Sequence, residues 1–510
     1  MFVDVLVAEI GSTTTLLNAF TGLSGDNPAP LFLGQGQAPT SVLAGDVRVG
    51  LDAARADLAA KLGCDSLECG DFLATSSAAG GLRMCVHGLV YDMTVKAAMA
   101  AALGAGAVIR QTTAGKLSEY ELDELHEVDP KLIMLAGGTD YGEQQTAIYN
   151  ARVLADAGIK VPVVYAGNVQ CVRAVKKIFA AAGIPLFVTE NVYPKLDLLN
   201  IEPARQVIQQ AFEENIVRAP GMEHIRERVN GEILPTPGAV METARVLYES
   251  LGDLVVFDVG GATTDVHSVT PGSEEISLLA TGPEPLAKRT VEGDLGVYVN
   301  ARSLLQQVGR ETVLAELGQG DSGEMGLGHC APVGAAGEHL AGAAGEHSAG
   351  AAGGHSAGAC GEFPLDTVLA DYRPIPESAE QMRLTSCLCR HCALMALERH
   401  VGRLRYVYSP SGRRTVAEGK DLSLVRTLVA TGGALTKLQG REAIMQELVD
   451  FNKSGMALYP APGRAEIRYD HHYIMASLGV LSKRYRWAVP VLMQASFANR
   501  PLASNLGGGQ

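Results

Sequence analysis

Two segments roughly 250 residues apart are written in the same grammar. The first, Val7-Ala8-Glu9-Ile10-Gly11-Ser12-Thr13-Thr14-Thr15, closes an apolar run that begins at Phe2. The second is Leu254-Val255-Val256-Phe257-Asp258-Val259-Gly260-Gly261-Ala262-Thr263-Thr264-Asp265-Val266. Each is a strand-length apolar run carrying an acid, then glycine, then hydroxyls. Either one alone also reads as a plain hairpin turn built from Gly, Asp, Ser and Thr. The pair is more informative, because it predicts duplicated subdomains facing one shared nucleotide. Gly11 and its counterpart Gly260 permit a tight turn. The backbone N–H groups and hydroxyls that follow can cradle phosphate oxygens. Glu9, at a strand end, is a candidate to hold a metal-bound water. Asp258 and Asp265 are placed to approach a metal–phosphate across the second hairpin.

The rest of the chain alternates short apolar runs with Ala/Leu-rich helical stretches, which predicts an α/β fold. Strands are expected at Phe2–Ala8, Phe72–Ala74, Leu132–Ala136, Val161–Tyr165, Pro185–Val188, Leu254–Val259 and Leu428–Ala430. Their continuous apolar character points to sheets buried on both faces. A third turn, Val429-Ala430-Thr431-Gly432-Gly433-Ala434-Leu435, runs from strand into helix. Gly432 and Gly433 would let a flat ring such as adenine come close, or simply make a βα turn. Comparable turns are Leu135-Ala136-Gly137-Gly138-Thr139-Asp140 and Ala166-Gly167-Asn168. The 510 residues suit roughly two to four domains. A division into 1–250 and 251–510 places one hairpin in each half.

One stretch breaks the pattern. GAAGEHLA, GAAGEHSA and GAAGGHSA follow one another over 334–357, with His339, His347 and His355 in register. An eight-residue Gly-rich unit is too short to be a packed repeat, since solenoid repeats run about 20–50 residues. The segment 318–361 is therefore expected to be a flexible surface insertion. Spaced His could also bind metal adventitiously.

Several functions are disfavoured. The net charge is −14, and the basic clusters are only Arg413-Arg414 and Lys483-Arg484. Neither supplies the footprint that nucleic-acid binding needs. The N-terminus has no basic region ahead of an apolar stretch, and no run reaches the length of a spanning helix. Nine scattered Cys form no disulfide framework, so a reducing cytoplasm is the expected setting. Ala114-Gly115-Lys116-Leu117 lacks the rest of a P-loop. Gly318-Gln319-Gly320-Asp321-Ser322-Gly323 spells a dinucleotide fingerprint but follows a helical stretch. Cys387, Cys389, His391 and Cys392 form a C-x-C-x-H-C cluster that could hold zinc or an Fe–S group. Core cysteines on a helix explain it more simply. No nucleophile elbow or HExxH motif occurs.

The trio 9–15, 258–265 and 431–435 resembles the two phosphate loops and the adenosine loop of the actin-like ATPase superfamily. Its members fold as two RNase H-like lobes around a nucleotide cleft. The family's first loop usually opens with Asp, where this chain has Glu9. A narrower resemblance rests on Ser76-Ser77-Ala78-Ala79-Gly80-Gly81-Leu82-Arg83-Met84, Leu135–Asp140, Lys288-Arg289-Thr290-Val291-Glu292-Gly293-Asp294-Leu295-Gly296 and Arg399-His400-Val401-Gly402. These stretches look like the accessory protein family of glutamate (methylaspartate) mutase, over about Val3–Tyr485.

The resemblance implies an ATP-driven chaperone that helps an adenosylcobalamin-dependent mutase shed damaged cofactor. ATP and Mg²⁺ would be the ligands, mutase subunits the partners, and ATP hydrolysis weak. On that reading Gly11, Ser12, Thr13 and Thr14 with Gly260, Gly261, Thr263 and Thr264 hold the phosphates. Glu9 and Asp258 position Mg²⁺ through water, supported by Asp265. Gly432 and Gly433 flank adenosine, and Asp140 orients the attacking water. No corrinoid-binding loop is evident, so direct cobalamin contact is not expected. Self-assembly stays open. A small-molecule kinase of the same superfold and a nucleotide-binding partner that does not hydrolyse are the competing readings.

Overall fold

The computed structural model describes residues 1–510 except 12, 25–27, 42–45, 78–81, 217–221, 319–362, 410–411, 452–454 and 500–510. The octapeptide repeats, the expected insertion beyond Gly318, and Ser12 lie outside the described residues.

The chain is a mixed α/β protein with three five-stranded sheets and a separate hairpin. The first sheet holds β1 (Phe2–Ile10), β2 (Thr14–Thr21), β3 (Leu31–Pro39), β4 (Glu68–Ser76) and β10 (Ile233–Pro235). Its order is β3–β2–β1–β4–β10, with the first three strands antiparallel and the last two joining in parallel. The second sheet holds β11 (Leu254–Val259), β12 (Thr264–Val269), β13 (Ala287–Glu292), β16 (Thr427–Thr431) and β17 (Glu466–Tyr469). Its order, β13–β12–β11–β16–β17, has the same polarity at every step. The repeated grammar of the sequence thus has a counterpart in repeated topology. β1 and β11 occupy the same central place in each sheet. Both are almost wholly buried, which is why their residues are apolar on both faces.

The third sheet was not anticipated. β5 (Arg83–Gly88), β6 (Val108–Ala114), β7 (Leu132–Leu135), β8 (Val163–Tyr165) and β9 (Leu186–Val188) pair in the order β6–β5–β7–β8–β9, all parallel. The whole sheet is an excursion between β4 and β10. Its last three strands are evident in the sequence. β5 and β6 carry Arg, His, Gln and Thr among their apolar residues, which masks them. The hairpin of β14 (Arg403–Ser409) and β15 (Gly412–Glu418) stands apart.

Helices Thr236–Leu251 and Met475–Tyr485 pack on one another between the first and second sheets. One hydrophobic cluster joins them to Val5, Val7 and Phe20 on one side and to Leu254, Val256 and Val429 on the other. They cross at Gly479, where any Cβ would collide with the Ala239 carbonyl. Pro237 in the first turn and Gly252 (φ +73°) after the last one frame the earlier helix. No helix among the described residues is long and apolar enough to cross a membrane.

Candidate functional site

The two hairpin turns are built alike. In the β1–β2 turn, Gly11 N donates to Thr14 O at 3.0 Å. A Cβ at Gly11 would stand 2.6 Å from that oxygen, so the turn admits only glycine. In the β11–β12 turn, Gly260 N donates to Thr263 O at 2.9 Å. Glu9 and Asp258 each stand two residues before their glycine. The two tips also meet, because a Cβ at Gly261 would have Thr13 Oγ1 at 3.6 Å and Thr13 Cγ2 at 3.7 Å, beside Tyr298 Cβ at 3.6 Å. Val297 N donates to the Gly260 carbonyl, Tyr298 N and Val299 N to that of Gly261, and Asn300 Nδ2 to that of Ala262. With its acceptors occupied, what this loop can offer a ligand is N–H donors, which suits an anion.

Four acids surround this junction. Glu9 is buried, at 4% exposure. Tyr473 Oη donates to Glu9 Oε1 at 3.3 Å, while Glu9 Oε2 is a buried oxygen with no partner among the described residues. Burial, then the charge of Asp258, push the Glu9 carboxyl up to about 8, against the pull of Tyr473 and Lys437. Burial and the neighbouring Asp265 push Asp258 up to about 7, partly offset by Arg289.

Asp265, directly opposite Asp258 in the ladder, has its own cation. Arg289 Nε lies 2.8 Å and Nη2 2.6 Å from Asp265 Oδ1. The fourth acid is Asp470, which is fully buried. It accepts from Thr431 Oγ1, Ile474 N, Met475 N and Ser496 Oγ at 2.7–3.0 Å. Lys437, whose pKa burial lowers, donates to Gln37 Oε1 at 2.8 Å and so links the helix after β16 to β3.

The expected site residues divide as follows. Glu9, Gly11, Thr13 and Thr14 share one hairpin, and Asp258, Gly260, Gly261 and Thr263 share the other. Thr264 is fully buried, and its hydroxyl is taken by the Leu295 carbonyl at 2.6 Å. Asp265, expected at the metal, is held by Arg289. Gly432 (φ +84°) fits tightly beside Asp258, where a Cβ would come within 2.5 Å of Oδ1 and 2.6 Å of Val259 N and O. Gly433 faces open space, with nothing within 4 Å of a built Cβ.

Asp140 is elsewhere, at the carboxyl-terminal edge of the parallel sheet. There its Oδ1 accepts from Val169 N and Asn191 Nδ2, both at 3.0 Å. It lines a cavity of about 250 Å³ formed by residues 140–200, with no contribution from β1 or β11. Tyr473, Asp470, Lys437 and Arg289 were not picked out from the sequence. Asp470 follows the short strand EIRY, but no glycine or small hydroxyl residue comes after it, so the grammar of the two hairpins is not repeated there.

Stretches that carry the narrower resemblance interlock behind the second hairpin. Arg399 bridges Glu292 (2.7 Å) and Asp294 (2.8 and 3.0 Å). His400 Nδ1 pairs with Thr290 Oγ1 at 2.9 Å, and its Nε2 with Ser268 Oγ at 2.8 Å. Burial holds this imidazole well below its usual range, so the ring is neutral and serves as a brace.

Fold and site together define an α/β protein with a repeated sheet and a carboxylate cluster where two Gly-Thr hairpins meet. A family model described as "MutL protein" matches residues 5–328 and 357–497. "Protein MutL" of Clostridium tetanomorphum is 35% identical over 486 residues, spanning 94% of this chain and 96% of that one. The chain belongs to the MutL protein family. Among solved structures, a diol dehydratase-reactivating factor in nucleotide-free form is 11% identical, over 94% of this chain and 99% of that one, with a TM-score of 0.33. A glycerol dehydratase reactivase is 10% identical over the same shares, with a TM-score of 0.29. Likeness this loose carries no argument here.

Proposed function

We propose that the chain is an ATP-dependent accessory factor that reactivates an adenosylcobalamin-dependent mutase, glutamate (methylaspartate) mutase in the first instance. The partner comes from the family resemblance. The observation that carries the nucleotide part is the meeting of two equivalent hairpin tips, Thr13 against Gly261, beside the raised carboxyls of Glu9 and Asp258. On this reading the first and second sheets are the cores of two RNase H-like lobes, 1–250 and 251–510, with 318–361 inserted in the second.

The residues present fit Mg²⁺. Glu9 Oε2 is a buried oxygen with no partner among the described residues, and burial and neighbouring acids raise both carboxyls, a state that a bound cation would relieve. Glu9 and Asp258 would hold the ion through water, and its bound charge would supply neutralisation of the phosphates. Donors of Thr13, Thr14, Gly261 and Thr263 would orient the phosphates, while Gly11 and Gly260 use their N–H groups to close the two turns. Gly433 leaves room for adenosine, and Gly432 keeps the adjoining turn against Asp258. Asp265, neutralised by Arg289, is a positioning residue. Hydrolysis would then rest on positioning and charge neutralisation, as in other phosphoryl transfers. Closure around the nucleotide would change affinity for the mutase by up to about 3 kcal/mol, the usual scale of such coupling.

The test is phosphate release from Mg·ATP, with and without an inactivated cobalamin mutase. Release stimulated by the mutase, together with recovered mutase activity on adding fresh adenosylcobalamin, supports the proposal. Phosphate delivered to a metabolite instead would make the chain a kinase, and tight ATP binding without turnover would make it a silent partner. Glu9 in place of Asp favours that last reading over the kinase.

A further inference from the structure

The C-x-C-x-H-C run lies on the helix Ala379–His400, and the helix divides it. Cys389 and Cys392 are fully buried in the core of the second sheet. Cys387 and His391, four residues apart, share a helix face that meets Glu316 from the helix Arg310–Gly318. Cys387 Sγ is 3.2 Å and His391 Nε2 3.1 Å from the same oxygen, Glu316 Oε2. All three ligand atoms lie within 4.8 Å of one another.

We propose that Glu316, Cys387 and His391 form a binding site for one thiophilic divalent cation of the Zn²⁺ class, which staples the 310–318 helix to the 379–400 helix. Thiolate, imidazole and carboxylate are the three ligand types zinc takes. Tetrahedral zinc spaces such atoms about 3.3–3.6 Å apart, given bond lengths near 2.0–2.3 Å. The two separations measured are within a few tenths of an ångström of that.

The carboxylate is already aimed. Its other oxygen, Oε1, takes Arg390 Nη1 at 3.2 Å, and Arg390 is locked by Glu447 through two bonds of 2.6 Å. Such outer partners fix the ligand's orientation and leave Oε2 for the ion. The charges also fit. Glu316, Glu447, Arg390 and a Cys387 thiolate sum to −2, which a divalent cation neutralises. Without an ion, burial and the Glu316 charge push the thiol up, so it keeps its proton and donates it to Oε2. Binding therefore releases that one proton to solvent. His391 and Glu316 are both partly exposed, so an ion and a fourth, water ligand have access.

The full chain, freed of metal by a chelator and titrated with Co²⁺, tests this. The expected result is one equivalent of Co²⁺ with a thiolate-to-cobalt charge-transfer band, displaced by Zn²⁺. The band should vanish in Cys387→Ser, and Glu316→Gln should weaken Co²⁺ binding at least about 10-fold. The His-bearing repeats can take up metal without giving that band. A band that persists in Cys387→Ser would assign the metal to another cysteine and overturn the proposal, as would a wild type with no band. If Cys387→Ser fails to fold, Glu316→Gln decides, because unchanged Co²⁺ affinity in that variant refutes the site.

Discussion

Arg289 and Asp265 form a pair in which both side chains are at least nine-tenths buried, and the guanidinium spans two parts of the fold. Its Nε and Nη2 hold Asp265 on the second hairpin. Its Nη1 donates to the carbonyls of Leu103 (3.1 Å) and Ala107 (3.0 Å), where a helix of the inserted parallel-sheet region ends. Leu103 stands in the last turn of that helix and Ala107 just beyond its end, ahead of β6. One residue thereby ties the hairpin strand to the excursion.

Arg289→Met leaves Asp265 buried without its cation, with only the Thr263 hydroxyl at 3.3 Å. The expected loss is about 3–5 kcal/mol, read by urea unfolding. Adding Asp265→Asn should recover a good part of it. If the double variant is no better than Arg289→Met, the charge pair is not what holds this junction.

Asp258→Ala should lower phosphate release from Mg·ATP by at least about 100-fold, the scale for removing one well-placed electrostatic group from a site. Its circular dichroism should match that of the wild type. Turnover at the wild-type rate would remove Asp258 from the chemistry.

The stability that Glu9 and Asp258 contribute without nucleotide should be lost as pH rises. Glu9 and Asp258 have folded values of about 8 and 7, against ordinary values of 4.5 and 3.8. Between those limits these two carboxyls bind more protons in the folded chain than in the unfolded one, so at them raising the pH favours unfolding. The contribution is complete below about pH 4 and is lost as pH rises through 7 to 8. Between pH 5 and 9 the thermal midpoint of Glu9→Gln should gain on that of the wild type as pH rises, because the variant has no Glu9 contribution to lose. Equal slopes would mean that Glu9 does not titrate in this window.

Gly432→Ala and Gly433→Ala should behave oppositely. The first combines left-handed strain with a clash against Asp258 and Val259, costing about 1–3 kcal/mol or more. The second meets nothing, so its stability should stay within about 0.5 kcal/mol of wild type. Any loss of ATP affinity in Gly433→Ala, followed by calorimetry, would then report on the ligand.

Much of this was legible in the sequence, for identifiable reasons. β1 and β11 are central strands, so burial on both faces wrote them as unbroken apolar runs. The turns after them need glycine for backbone reasons, so the acid–glycine spacing survives as a readable sign. β2, with Thr and Asn, and β12, with Thr, Asp, His and Ser, follow those turns and do not read as strands alone. Asp140 misled because its Gly137-Gly138 turn has the same local grammar, and only topology shows that it belongs to another sheet. Asp470, Tyr473 and Lys437 reach the site across more than 400 residues of chain from Glu9. No local pattern announces such a partner.

The parallel sheet leaves the first sheet after Ser76 and re-enters at Ile233, on strands that are neighbours, with Ser76 opposite Pro235. To the sheet that hosts it, this long excursion is a single connection whose ends are about one strand spacing, ~4.8 Å, apart. Lengthening such a connection adds entropy cost only logarithmically. Natural variation could therefore enlarge, trim or exchange the excursion without re-registering the hairpins. Differences between family members in what they attach to would then be expected to accumulate there, while the two turns stay as they are.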